Sequence, residues 1–148
     1  MNRFLELVTG SRYQGTGAYV TTAVRVIAGV LFVTFSIGKF SDHMSEAMDF
    51  DHYGVPWANV AVYIVGVVEL LGGLLLVIGL FTRLAALILA VNMIGAIATA
   101  GRVDGGSFHL GVAPTLLVAM LFLLWAGSGA YAVDAKLVRG DGGTRSAF

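Results

Sequence analysis

The chain has 148 residues, 57% hydrophobic and 12% charged, with a net charge of zero and no cysteine. Its mean hydropathy is +0.86, whereas soluble domains carry about 25% charged residues, so the composition points to a membrane protein. The missing cysteine excludes disulfides, thiolate catalysis and cysteine-ligated clusters within the chain, and the neutral charge gives no electrostatic basis for a nucleic-acid partner.

Residues 1–20 form a polar tail, with a short interfacial helix over Asn2–Val8 or a frayed end as the two readings. No long apolar run follows the first basic residue closely, so a cleaved signal is not expected. Four segments then reach the length of about 20 apolar residues that a membrane helix needs. They are Thr21–Phe40, Ala58–Phe81, Leu84–Ala100 and Phe108–Ala126. None alternates with period two, so the fold class is all-α: a polytopic membrane protein built as an antiparallel four-helix bundle over residues 21–132. The short turn "FTRL" forces spans two and three into a helical hairpin. Residues 133–148 read as a C-terminal tail, of which the polar, glycine-rich "RGDGGTRSAF" over 139–148 reads as disordered.

Charge sorts the loops. Arg3, Arg12, Arg83, Lys136, Arg139 and Arg145 fall on one side. The loop 41–57 holds Asp42, Glu46, Asp49 and Asp51 and no Lys or Arg, and the loop after span three holds only Arg102, beside Asp104. Basic residues stay in the cytoplasm, so both termini are expected there and the acidic loop outside.

Each of the first three spans carries polar residues on a face of small ones. Arg25, Gly29, Phe32, Ser36 and Lys39 form a stripe on span one. Gly66, Glu69 and Gly73 share a face of span two, with Gly72 beside it, and Ala85, Leu89, Asn92, Ala96 and Thr99 share a face of span three. Small residues mark close helix approach in lipid, so these faces are expected to meet in a common interior. Glu69 on the lipid surface would cost about 2.5–3.5 kcal/mol on insertion scales. From the cytoplasmic ends, rise places Glu69 about 18 Å deep and Asn92 about 14 Å deep. Arg25 from below or Lys39 from above can reach Glu69, and the sequence leaves that choice open. Arg25, Lys39, Glu69 and Asn92 are the candidate polar site, with Glu69 as its proton-handling group; a network that only fixes helix register is the alternative.

His43, Glu46, Asp49 and His52 share a face if the outer loop is helical. That spacing would suit a divalent cation, but no recognised ligand motif is present, and a solvated acidic loop is the plainer reading. His109 lies near the outer edge of span four, which leaves no matched axial ligands for a haem. Trp57, Trp125 and Tyr131 fit interfacial belts, and Pro114 is placed to kink span four.

The blocks "RVIAGVLFVTFSIGKF", "VVELLGGLLLVIGLFTRLAALILAVNM" and "LLWAGSGAYAVD" resemble the DoxX family of small bacterial and archaeal membrane proteins, over roughly Val24 to Asp134. The matching residues are Arg25, Gly38, Lys39, Glu69, Gly72, Gly73, Gly79 and Arg83. The resemblance implies a four-helix bundle in the cytoplasmic membrane, associated with quinone-linked oxidoreductase systems. It implies soluble or membrane redox proteins as partners and supplies no agreed catalytic residues. The expected role is therefore a membrane subunit that holds quinone or handles its protons. A membrane anchor or assembly protein for soluble redox enzymes is the alternative, and a small proton-coupled transporter ranks below both.

Overall fold

The computed structural model describes residues 11, 12 and 14–134. The readings made for Asn2–Val8 and for the tail beyond residue 134 fall outside them. All regular structure among the described residues is helical. Helix α1 spans Thr16–Ser41, α2 spans His43–His52, α3 spans Ala58–Ile78, α4 spans Thr82–Ala98, α5 spans Ala100–Val103 and α6 spans Ala113–Ala126. A π-turn over Phe108–Val112 leads into α6. Four stretches are long and apolar enough to cross a bilayer: Thr16–Ser41, Ala58–Ile78, Thr82–Val103 and Phe108–Ala126. The first begins five residues before the sequence expectation, because Gly15 at φ 62° starts the helix there.

The spans form a bundle in which α1 packs along α3 and α4 along α6. Glycine sets the first pairing. A Cβ on Gly29 would lie 2.8 Å from the Gly73 carbonyl oxygen, and a Cβ on Gly73 would lie 2.8 Å from that of Gly29. Only a residue without a side chain admits that approach, and dispersion between the two backbones holds the helices together where lipid supplies no hydrophobic drive. The buried core runs through Phe32, Leu76, Leu89, Met120 and Leu123. The outward faces are apolar too, with Ile27, Ile64, Val91 and Val118 all exposed, which is the pattern of a bundle solvated by lipid.

Pro114 cannot donate to a preceding carbonyl, and its ring would crowd the carbonyl of Leu110 in a regular α-turn. The wider turn over Phe108–Val112 directly precedes it and relieves that conflict.

Helix α2 covers the end of the bundle opposite the described termini. It buries Ala47 against α3 and leaves Met44, Met48 and then Trp57 exposed, an arrangement suited to the membrane interface. At the opposite end, residues 127–134 fold back over the start of α1. The Ala130 N–H donates to the Ala18 carbonyl at 3.1 Å, and Thr22 Oγ1 donates to the Ala130 carbonyl at 2.6 Å. The entry to α1 and the exit from α6 therefore lie at one end of the molecule.

Candidate functional site

Glu69 lies on the α3 face that also carries Gly66 and Gly73, and only 4% of it is exposed. The helix periodicity that placed it on this face turns it toward α1 and α4. Lys39 Nζ, reaching in from the C-terminal end of α1, lies 3.0 Å from Glu69 Oε2. Asn92 Nδ2 donates to Glu69 Oε1 at 2.9 Å from α4. The counter-ion left open in the sequence is thus Lys39. Its contact with Oε2 lies outside hydrogen-bond geometry, so that buried oxygen is ion-paired but accepts no hydrogen bond.

Arg25, the other choice for that partner, sits elsewhere. Its guanidinium is buried at the end of α3, where Nη1 donates to the Leu76 carbonyl at 2.9 Å. There it satisfies a terminal carbonyl and complements the negative end of the helix dipole. Gly79 ends α3 in a left-handed conformation with φ 72°. The Gly79 N–H donates to Leu76 O at 3.2 Å and the Leu80 N–H to Leu75 O at 3.0 Å, which together make a Schellman cap. A Cβ on Gly79 would collide with the Arg25 guanidinium.

Asp134 completes this end. Its carboxylate accepts from the Phe81 N–H at 2.8 Å and from the Thr82 N–H at 3.0 Å, and its own N–H donates to the Gly79 carbonyl at 3.0 Å. Phe81 adopts φ 48°, an unfavourable region for a residue with a side chain, and the two hydrogen bonds hold it there. Asp134 closes the last of the three blocks quoted above, but spacing along the chain gave no sign that it would cap a turn fifty residues away. Arg83 Nη2 donates to the Trp125 carbonyl at 3.4 Å, tying the same turn to α6.

A cavity of about 730 Å³ lies above the Glu69 cluster, in the half of the bundle nearest α2. Lys39, Glu69 and Asn92 line it at depth, and Phe35, Phe108, Val65, Ala96 and Leu116 supply apolar wall. Glu46 and Asp49 of α2 line its outer part with Tyr53 and His109. Val91 and Gly95 also line it, and both are exposed on the outer surface of α4. A Cβ built on Gly95 meets nothing within 4 Å, so the wall is open at this point.

The four residues weighed as metal ligands do not converge. The His43 ring stacks on Tyr63 with centroids 3.9 Å apart, and His52 Nε2 lies 3.2 Å from Asp104 Oδ1. Glu46 and Asp49 face the cavity instead. Among the described residues no three His, Asp or Glu side chains come together in a way that could hold a metal ion. Tyr53 packs edge-on against His109 at 5.8 Å. Burial, followed by the hydrogen-bonding and charge effects of Asp104 and by the charges of Asp49 and Glu46, pushes the Tyr53 phenol up to about 12.

The DoxX family profile matches residues 20–102, which hold Arg25, Lys39, Glu69 and Asn92. The chain belongs to the DoxX family. It is 32% identical over 129 aligned residues to an uncharacterized membrane protein of Mycobacterium tuberculosis, covering 77% of this chain and 78% of that one. It is 32% identical over 128 residues to an uncharacterized protein of Haemophilus influenzae, covering 82% and 92%. It is 34% identical over 79 residues to the Bacillus subtilis protein CatD, provisionally named an oxidoreductase, covering 53% of this chain and 58% of CatD. No solved structure gives a significant match. Membership and the four spans make this DoxX protein a membrane protein, and its named relatives are bacterial.

Proposed function

We propose that this DoxX protein binds a quinone in the cavity, as the membrane subunit of an oxidoreductase complex. The observation that carries the reading is the cavity's own gradient. Its wall is apolar and reaches the exposed Val91 and Gly95, while Lys39, Glu69 and Asn92 converge at its deep end. A quinone has the matching gradient, with an isoprenoid chain at home in lipid and a polar ring. Lys39 supplies a donor to a quinone carbonyl, and Glu69 accepts a proton when the quinol is deprotonated. Asn92 fixes the Glu69 carboxylate. A cysteine-free chain has no thiol couple, so electrons pass between quinone and a partner redox protein. The name of CatD supports an oxidoreductase setting. The segregation of basic residues from the acidic loop supports placing both termini in the cytoplasm of a bacterial or archaeal cell.

Purification in mild detergent, with mass spectrometry of extracted lipids and a titration against a soluble quinone, tests this. Saturable binding is expected, weakened at least tenfold in Glu69→Gln and in Asn92→Leu variants that remain monodisperse. No co-purified quinone and no saturable binding, with soluble redox proteins still retained on the chain, would replace this reading with a membrane anchor.

A further inference from the structure

The cavity is built on one side of Glu69 only. Toward α2 the carboxylate faces a space of about 730 Å³ with Glu46, Asp49, Tyr53 and His109 in its walls. Toward the termini it meets packed apolar side chains. Phe32, Leu76, Leu89, Met120 and Leu123 have no exposed surface, and Gly29 and Gly73 bring α1 and α3 into backbone contact beside them. Protons cross a dry, close-packed layer poorly, because no donor or acceptor there carries them.

Glu46 stands where a relay is needed. A Cβ on Gly38 would lie 3.6 Å from Glu46 Oε1, so this carboxylate sits over the α1 turn that carries Lys39. Asp49 lies one turn further along α2 and is exposed. Glu69 lines the same space, paired with Lys39 at 3.0 Å and held by Asn92, so it is the carboxylate such a path would end on. The charged and titratable groups around the space are Lys39, Glu46, Asp49, Tyr53, Glu69 and His109.

We infer that Glu69 exchanges protons only with the aqueous phase on the α2 side, through the cavity, with Glu46 and Asp49 as relay carboxylates. This deepens the proposed function by giving quinol protons a side of release, and it rests on that function only for the source of the proton. In a quinol-oxidising complex the partner would take two electrons while two protons leave on the α2 side.

The chain contains no cysteine, so single-cysteine variants need no prior background. In vesicles of known orientation, Val65→Cys and Ala96→Cys should react with a membrane-impermeant thiol reagent added on the α2 side. Ala28→Cys and Ala86→Cys, in the apolar layer, should react from neither side. Infrared difference spectra after a pH jump should contain a carboxyl band that disappears in Glu69→Gln. Its response should slow at least tenfold in the double variant Glu46→Gln/Asp49→Asn. Labelling of the cavity positions from the terminal side, an unchanged rate in the double variant, or the absence of a Glu69 band would each overturn the inference. Quinone binding enters neither readout, so its failure would show separately in the titration above.

Discussion

At Glu69, two elementary facts compete: a lone carboxylate is expensive in lipid, and a paired one is expensive to unpair. The 3.0 Å contact with Lys39 and the 2.9 Å bond from Asn92 settle the local balance in favour of pairing. Lys39→Met should therefore lower stability by about 3 kcal/mol, because it leaves a buried acceptor charge uncompensated. Adding Glu69→Gln to that variant should restore much of the loss. Thermal unfolding of the four members of the cycle in one detergent measures the coupling, and additive effects would show that the pair contributes nothing. Asp134 poses a different problem. Its two accepted bonds satisfy the Phe81 and Thr82 backbone groups, so Asp134→Ala removes the acceptor for both. About 2 kcal/mol of stability should be lost, as for buried donors left unsatisfied. Asp134→Asn, which keeps one acceptor oxygen, should lose less in the same unfolding assay.

Among the elements, the spans were legible because hydropathy and length dictate them. Helical spacing brought Glu69 and Asn92 to one interior, since a 3.6-residue period fixes which side chains share a face. That period carries no information on how far a flexible side chain reaches. Arg25 and Lys39 therefore looked equivalent until the structure put one at the α3 terminus and the other at the carboxylate. The cavity was also invisible, because it arises from how α2 lies across the bundle, and a ten-residue amphipathic loop does not state its own docking angle. Tyr53 reports that docking. Its phenol is raised from 10.0 to about 12, so the neutral form is favoured in the folded state. The stability this contributes is fully present below about pH 10 and is lost as pH rises toward about 12. Phenolate absorbance should show a late-titrating tyrosine that is absent from Tyr53→Phe, and identical alkaline titrations would refute the packing of Tyr53 against Asp104.

Over the whole molecule, charge asymmetry and structural asymmetry run together. The end that holds the chain's return over α1 carries Arg12 and Arg83, while the opposite end is capped by α2 with Glu46, Asp49 and Asp51, has no Lys or Arg in the 41–57 loop and holds only Arg102 beside Asp104 after span three. Insertion retains positive charge in the cytoplasm and is nearly indifferent to acidic loops, so the basic end should be the cytoplasmic one. With the basic end in the cytoplasm the cavity would open outward, and the proposed proton exchange of Glu69 would be with the exterior. A protease recognition tag fused after Phe148 should stay intact in protease-treated spheroplasts and be cleaved once the membrane is permeabilised. Replacing Asp42 and Asp51 by lysine would place two positive charges next to spans one and two on the wrong side. A measurable fraction of that variant should insert reversed, with its tag cleaved in intact spheroplasts. Cleavage of the unmodified chain's tag from outside would reverse the assignment, sending the cavity, and the protons of any quinol bound in it, to the cytoplasmic face.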